Sequence, residues 1–208
     1  MKDMVKALYL NGSLKNSSEP SHTSGLLHKA TEWFTHLGVE TEEIRLADYR
    51  ILPGMAPDMG EGDEWPQIMQ KVLAADILIV ATPIWIGEKS SVSTLAMERL
   101  YASSGEKNSE GQAIYYNKVG GAVVTGNEDG AKESAKSILY GLSHIGFTVP
   151  PNVDAYWVGE AGPGPSYLET GQDNAFTIKN TKMMVHNLVH FARMLKENPI
   201  PAEGNTGE

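Results

Sequence analysis

Three segments of this sequence place small, hydroxyl-bearing and aromatic residues directly after runs of apolar residues. They are residues 11–24, 82–87 and 125–130. An apolar run of strand length that is bounded by turn residues predicts a buried parallel strand. In an open α/β sheet, ligands bind beyond the carboxyl ends of the strands, at the point where the strand order reverses. We therefore expect the three segments to be loops that form one binding site.

The first of these loops is rich in hydroxyl groups and leads into a predicted helix. Its hydroxyl-bearing residues are Ser13, Ser17, Ser18, Ser21, Thr23 and Ser24. A phosphate dianion is bound by many short donors and by a helix N-terminus that points at it. Lys15 adds a positive charge, and His22 can donate a hydrogen bond from its ring or its backbone. A solvated loop that ends in a helix cap is the alternative, but the position after the first strand favours a phosphate site.

The other two loops suit a flat aromatic ring. In the second loop, Pro83 and Gly87 fix an irregular backbone, and Trp85 offers a stacking surface unless it belongs to the core. In the third loop, Gly126 and Gly130 allow close approach, and nearby backbone amides can meet the polar edge of a ring. The two acidic residues between these glycines suit a helix cap better than contact with an anion. A phosphate loop beside two ring loops indicates flavin mononucleotide (FMN).

The elements that must position these loops follow from the apolar pattern. Apolar runs of strand length alternate with stretches of helical period, which predicts an α/β fold whose parallel sheet is covered by helices on both faces. We expect a flavodoxin-like sheet of five strands in the order 2-1-3-4-5. Residues 1–197 would form one FMN-binding domain, and residues 198–208 a flexible tail. The predicted strands are 5–10, 39–46, 76–82, 118–125 and 153–158. Helices are predicted at 23–37, 64–75 and 175–196. Two further helices are predicted, one that is capped by Ser90 or Ser91 and one that begins at about residue 131.

The composition excludes several other kinds of site. The chain has 208 residues and no cysteine, which excludes disulfides, iron–sulfur ligation and a cysteine nucleophile. A net charge of −9 argues against binding to nucleic acid or to acidic lipid. No apolar stretch reaches the roughly 20 residues of a membrane span, and no apolar leader is evident, so a cytoplasmic location is expected. His186 and His190 are four residues apart, a spacing that can bind a metal, but no third ligand is near them in the sequence, so we predict no metal site there.

The ordered set of motifs resembles the NADPH-dependent FMN reductase family of the flavodoxin-like superfamily. The resemblance spans nearly the whole chain up to the last helix, and its motifs are NGSLK and PSHT in the first loop, TPIWIG, TGNEDG, and a later YWVGEAGPG at 156–164. It implies that the FMN phosphate is held by Ser13, Lys15, Ser21, His22 and Thr23. It implies that the flavin ring is held by Pro83, Ile84, Trp85, Ile86 and Gly87 and by Thr125, Gly126, Asn127, Asp129 and Gly130.

This resemblance implies an enzyme with noncovalently bound FMN. Hydride would pass from NADPH or NADH to the flavin and then to a quinone, a flavin or a similar small-molecule acceptor, so no catalytic side chain is expected. A homo-dimer or homo-tetramer is expected as well. Two other functions stay open. A flavodoxin-type electron carrier would bind FMN and pass electrons to protein partners. The acidic charge of the chain fits such a carrier, whereas its long Ser-rich loop does not. A flavin-binding regulatory protein would turn over only slowly.

Overall fold

The computed structural model describes residues 4–206. Its strands are β1 (Lys6–Asn11), β2 (Glu40–Arg45), β3 (Ile77–Trp85), β4 (Glu88–Lys89), β5 (Val119–Gly126) and β6 (Asp154–Val158). Its α-helices are α1 (His22–His36), α2 (Trp65–Ala74), α3 (Ser91–Ala102), α4 (Ala131–His144) and α5 (Ala175–Glu197), with a 3-10 turn at Leu46–Asp48 and a π-helical turn at Tyr167–Gly171. None of the described helices combines the length and the apolar character that crossing a bilayer requires.

The sheet order is β2-β1-β3-β5-β6, and the neighbours along it are parallel. The two-residue β4 pairs antiparallel with β3 outside this order. With β4 set aside, the strands have the predicted flavodoxin-like order 2-1-3-4-5, which confirms the fold class. The order reverses between β1 and β3, where Asn11 pairs with Ala81. The loops that follow these two strands therefore emerge side by side.

The core lies on both faces of the sheet, because helices cover both. In β1, Ala7 and Tyr9 pack under α1 and α5, whereas Leu8 and Leu10 pack under α2, α3 and α4. This alternation follows from the two-residue period of a strand. The edge strand β2 is more polar, and Ile44 is its one buried residue. The polar edge and the apolar centre agree with the predicted strand order.

β3 runs three residues beyond its predicted end at residue 82. It continues into a hairpin in which Ile84 pairs with Lys89 and Trp85 pairs with Glu88. The turn residues 86–87 have φ of 52° and 75°, and a type I′ turn requires positive φ at both of its central positions. The proline and the glycine of this segment predict an irregular loop when they are considered locally. The strand is longer because the chain turns back and pairs with it.

Side-chain caps fix where two helices begin next to the predicted site. Ser21 Oγ accepts a hydrogen bond from the Ser24 N–H at 3.2 Å at the start of α1. Ser90 Oγ accepts one from the Ser93 N–H at 3.1 Å at the start of α3. Of the two caps considered for α3, the structure therefore selects Ser90. Such caps satisfy backbone donors that have no partner within the helix.

A buried ion pair holds the loop between β2 and α2, which is rich in Pro, Gly and Met. The side chains of Arg99 and Asp63 are fully buried and meet at 2.9 Å. The same guanidinium donates to the carbonyl oxygens of Leu52, Ala56 and Pro57. Burial raises the pKa of Asp63, but hydrogen bonds from three backbone N–H groups and from Arg99 outweigh burial and hold that pKa below its ordinary value. The loop is therefore fastened to α3.

The chain beyond α5 contacts the segment before β5. The Ile200 N–H donates to Asn117 Oδ1 at 2.7 Å. The buried Gln112 donates from Nε2 to the carbonyl oxygens of Ile200 and Pro201, at 2.9 and 3.1 Å. α5 ends at Glu197, which is where the sequence predicts the tail to start. Whether this tail moves in solution stays a prediction.

Candidate functional site

A cleft of about 290 Å³ opens at the carboxyl ends of β1, β3 and β5. All three predicted loops contribute to it. The five residues predicted for the phosphate line it, as do three of the five residues predicted from each ring loop. The lining residues are Ser13, Leu14, Lys15, Pro20, Ser21, His22, Thr23, Pro83, Ile84, Trp85, Thr125, Gly126, Asn127 and Ser166.

The end of the cleft at which the sequence predicts a phosphate, called the phosphate end below, combines buried hydroxyl groups with the start of α1. Ser13, Ser21 and Thr23 are buried. The hydroxyl groups of Ser13 and Ser21 each accept a hydrogen bond from a backbone N–H of the loop or of α1, so their own protons stay free to donate to a ligand. Within residues 4–206, the N–H groups of His22 and Thr23 have no acceptor, as is normal in a first helical turn. These donors fit a phosphate group.

A polar network behind the phosphate loop holds its shape. Ser24 Oγ accepts from Asn11 Nδ2 at 2.9 Å and from Arg45 Nη2 at 2.6 Å, and it donates to Glu43 Oε1 at 2.6 Å. Arg45 Nη1 also donates to two carbonyl oxygens of the loop, both at 3.1 Å. Ser24 does not line the cleft, so its hydroxyl supports the loop. The sequence analysis missed Glu43 and Arg45, although their spacing of two residues places both on one face of β2.

One hydrogen bond joins the phosphate loop to the third loop. Thr23 Oγ1 and Thr125 Oγ1 lie 2.8 Å apart, and both residues are buried. One hydroxyl group donates to the other, so the pair keeps one proton for a ligand. The bond also fixes the distance between the phosphate end of the cleft and the predicted ring end.

The walls beyond the phosphate end are apolar. Trp85 is 52% exposed and lines the cleft, which excludes the core position that was considered for it. Pro83 and Ile84 line the same side. A Cβ on Gly126 would lie 2.7 Å from the Ile84 Cβ, so only glycine lets the third loop approach the second this closely. Apolar walls with a few polar groups at one end are typical of a site for a ring-bearing ligand.

Four of the predicted ring contacts lie outside the cleft, namely Ile86, Gly87, Asp129 and Gly130. They meet where the hairpin tip packs on the third loop, and a Cβ on Gly130 would lie 2.3 Å from the Gly87 carbonyl oxygen. Asp129 is exposed, and Ile86 is 93% exposed. The extension of β3 places the turn beyond the cleft, where the close approach of Gly87 and Gly130 supports the wall from behind. Their contact with a ring stays a prediction.

Glu128 has a different partner from the one predicted. The sequence analysis assigned the two acidic residues of the third loop to a cap on α4. That helix instead begins after Gly130 without a side-chain cap. Glu128 Oε1 accepts a hydrogen bond from the Ile86 N–H at 3.1 Å. The prediction of a cap is therefore wrong for both acidic residues. For Glu128 the reason is that the hairpin brings a free backbone N–H close to its carboxylate.

The fourth side of the cleft comes from a segment that the sequence analysis treated as a long loop. Ser166 lines the cleft, and its Oγ donates to Asn127 Oδ1 at 2.8 Å. Asn127 Nδ2 donates to the carbonyl oxygen of Pro165 at 2.9 Å. The amide side chain of Asn127 is therefore used within the protein, which leaves its backbone for a ligand. Leu14 and Pro20 also line the cleft and were missed because they are apolar residues among hydroxyl groups.

The described residues hold no cluster of three or more His, Asp or Glu side chains within reach of one metal ion. His186 and His190 are exposed on α5.

Comparison with known proteins connects this geometry to a family. The family model described as NADPH-dependent FMN reductase matches residues 5–161. That range contains all three predicted loops and every residue that lines the cleft except Ser166. The match therefore covers both the sheet and the candidate site.

Individual relatives match over nearly the whole chain. The chain is 40% identical over 205 residues to 8-demethyl-8-aminoriboflavin-5'-phosphate synthase of Streptomyces davaonensis, which covers 94% of this chain and 80% of that protein. It is 47% identical over 201 residues to a Mycobacterium bovis protein named divalent metal cation transporter MntH, which covers 93% of this chain but 29% of that protein. The chain thus spans less than a third of the mycobacterial relative.

A solved structure shares the fold closely. It is the crystal structure of RosB with a bound intermediate, 8-demethyl-8-formylriboflavin-5'-phosphate. The two structures superpose with a TM-score of 0.87 at 39% identity, over 94% of this chain and 82% of that chain.

Proposed function

Because this chain belongs to the NADPH-dependent FMN reductase family, we propose that it is an FMN-dependent NAD(P)H oxidoreductase. It would take hydride from NADPH or NADH and pass it to a quinone, a flavin or a similar small-molecule acceptor. The observation that carries the proposal is the two-ended cleft, with buried hydroxyl groups and a helix N-terminus at one end and apolar walls at the other. The flavin supplies the two-electron chemistry when it is bound.

The phosphate end would anchor the nucleotide. Ser13, Ser21 and the Thr23–Thr125 pair each offer a hydroxyl proton, and two free N–H groups of α1 add the positive end of the helix dipole. The exposed Lys15 at the cleft adds a positive charge. These groups act within a few ångströms, whereas the net charge of −9 acts over distances at which salt screens it. An acidic protein can therefore still bind a dianion here.

The apolar end would hold the ring and exclude water from one of its sides. Trp85 offers a partly exposed indole, and Pro83 and Ile84 add apolar surface next to it. Because the cleft opens to solvent, a nicotinamide and an acceptor could take turns over the other side of the ring. Under this proposal the side chains position the reactants and hold no proton that the reaction needs.

A second function is favoured by the relative that is 40% identical, whose name describes the synthesis of a modified riboflavin phosphate. In that case the same cleft would bind a riboflavin phosphate as a substrate, and the protein would change its ring. The phosphate end would serve both functions in the same way. Chemistry at the ring end therefore distinguishes them.

Anaerobic reduction followed by mass analysis separates these functions. The purified protein is loaded with FMN and mixed with NADPH or NADH without oxygen. An oxidoreductase loses its yellow colour, regains it when a quinone is added, and releases FMN of unchanged mass. In a parallel aerobic reaction with an amino-group donor and oxygen as the oxidant, a flavin-modifying enzyme that is given a riboflavin phosphate releases a flavin of altered mass.

The same experiment identifies the remaining possibilities. A protein that binds FMN and is bleached only after a separate reductase is added would be an electron carrier. A protein that binds none of these flavin phosphates would overturn both proposed functions.

We also propose an assembly state and a cellular location, because both are expected from the family resemblance. The protein would act as a homo-dimer or homo-tetramer in the cytoplasm. Light scattering after size-exclusion chromatography measures the mass directly, and a species with the mass of one chain would contradict the proposed assembly. Cell fractionation tests the location independently of the assembly.

A further inference from the structure

Residues 165–171, which we call the strap, join two loops of the cleft from outside. At one end the strap bonds to both polar atoms of the Asn127 side chain, at 2.9 and 2.8 Å. At the other end the Leu168 N–H donates to Nδ1 of His22, the first residue of α1, at 3.3 Å. The strap thereby closes the side of the cleft between the phosphate loop and the third loop.

Packing holds the middle of the strap, but the chain before it is open. Tyr167 is buried and its ring lies 5.8 Å from that of Trp157, and burial raises the pKa of Tyr167 to about 12. A Cβ on Gly25 would lie 2.5 Å from Leu168 Cδ2, so Leu168 packs directly on α1. By contrast, nothing lies within 4 Å of a Cβ added at Gly162. The placement of the strap therefore depends on its own contacts.

The contact with the strap uses the ring nitrogen of His22 that faces Leu168. Nδ1 accepts the Leu168 N–H through its lone pair. Glu169 Oε2 lies 3.8 Å from this Nδ1, and it also accepts the Ser166 N–H at 2.8 Å. The backbone N–H of His22 remains free to bind a phosphate.

We propose that His22 is a positioning residue whose Nδ1 holds the strap against α1 and so keeps the fourth wall of the cleft in place. This inference deepens the function proposed above and rests on it, because the wall matters for function only if the cleft binds a flavin phosphate. A ligand would gain from His22 a backbone donor and an ordered strap. Loss of the Nδ1 acceptor therefore loosens the strap and shortens the time that the flavin stays bound.

Hydrogen exchange in the flavin-free protein tests the contact directly. His22→Ala removes the acceptor, and we expect the Leu168 amide to exchange about fivefold to tenfold faster, as the loss of one hydrogen bond of ordinary strength implies. His22→Asn returns an acceptor, because Oδ1 of Asn branches from the chain at the same distance as Nδ1 of His, and it should restore the slow exchange. His36→Ala at the exposed end of α1 is the matched control and should leave this amide unchanged.

The same variants are then loaded with FMN. We expect the dissociation rate of FMN to rise about fivefold to tenfold in His22→Ala and to return toward the parent rate in His22→Asn. If His22→Asn restores slow exchange but releases FMN as fast as His22→Ala, the ring acts on the ligand itself and the positioning role is wrong. Equal exchange of the Leu168 amide in the parent and in His22→Ala would also overturn it.

The exchange measurement and the FMN measurement test the two proposals independently. If the parent protein binds no FMN, the proposed function is wrong. The exchange comparison needs no flavin and still decides whether His22 holds the strap.

Discussion

Ile86 occupies a left-handed backbone conformation that costs a residue with a Cβ about 1–2 kcal/mol. Its φ is 52° and its side chain is 93% exposed, so little packing offsets that strain. Ile86→Asn keeps the N–H that bonds to Glu128 and introduces a residue that tolerates this conformation. We expect the free energy of unfolding, measured by urea denaturation, to rise by about 0.5–1 kcal/mol.

Ile178→Asn is the matched control for this prediction. It makes the same chemical change at a partly exposed residue of regular helix in α5. At this position we expect the free energy of unfolding to fall by a few tenths of a kcal/mol, which is roughly the difference in helix propensity between Ile and Asn. A loss of stability in both variants would mean that Ile86 is not strained.

The hydroxyl groups at the phosphate end should carry much of the binding energy for FMN. Replacing Ser13 and Thr23 together by Ala removes two donors to a charged group, each worth about 1.5–3 kcal/mol. We expect the dissociation constant of FMN, from fluorescence titration, to rise at least about 100-fold. The purified double variant should therefore lose its yellow colour.

A second double variant controls for general damage to the loop. Ser17→Ala with Ser18→Ala removes two hydroxyl groups of the same loop that lie outside the cleft, and it should bind FMN like the parent. If the Ser13 and Thr23 double variant stays as yellow as the parent, the phosphate assignment is wrong.

The hairpin tip and the third loop pack backbone to backbone at Gly130. Gly130→Ala would put a Cβ 2.3 Å from the Gly87 carbonyl oxygen. Gly162→Ala is the matched control, because its φ of 111° is similar to the 126° of Gly130 but nothing lies within 4 Å of the new atom. Both variants bear the strain of positive φ, about 1 kcal/mol, and the clash should cost Gly130→Ala about 1–3 kcal/mol more. Thermal unfolding and FMN titration measure the effect, and equal losses in both variants would argue against a tight contact.

α3 and the loop before α2 depend on the buried pair of Arg99 and Asp63. Arg99→Met leaves a buried carboxylate without its cation and three carbonyl oxygens without this donor. We expect the free energy of unfolding at neutral pH to fall by about 3–5 kcal/mol. Lys29→Met is the control. It breaks only the exposed ion pair with Glu32 and should change the free energy of unfolding little.

Arg99→Met should also change how the free energy of unfolding depends on pH in the acid range. The pKa of Asp63 is below its ordinary value in the folded protein, so the carboxylate stabilises the fold above the unfolded aspartate pKa of about 3.9. That stabilisation is lost as the pH falls through the folded-state pKa. Removing Arg99 should therefore flatten the acid part of the curve of unfolding free energy against pH. A curve parallel to that of the parent would show that other groups govern it.

The end of the chain offers a test of how far the folded unit extends. Deleting residues 198–208 removes the two carbonyl oxygens that accept from the buried Gln112 amide. Because the deletion lets water reach this amide, the loss is that of two hydrogen bonds of ordinary strength, and we expect the free energy of unfolding to fall by about 1–3 kcal/mol. If the tail is flexible, as the sequence predicts, the deletion should leave the melting temperature and the urea midpoint unchanged.

The strands and the place of the three loops could be predicted from local sequence patterns, and the strand order was predicted from the flavodoxin-like arrangement of such elements. A parallel strand covered on both faces must be apolar along its length, so each strand carries its own signal. The carboxyl ends of such strands share one edge of the sheet, which brings the loops together whatever their sequence. Ser13 in the loop after β1 and Ser21 and Thr23 at the start of α1 line one cleft for this reason. The fold class and the meeting of the three loops at one cleft followed from these signals.

The polar partners could not be predicted in this way, because each pair forms between loops that are distant in sequence. Glu128 and Ile86 are 42 positions apart, and His22 and Leu168 are 146 positions apart. The exposure of Trp85 likewise depends on β4, which pairs with β3 only after the chain has turned back. Burial of apolar residues is encoded position by position. Which donor meets which acceptor is known only once the core has packed and brought the loops to their final distances.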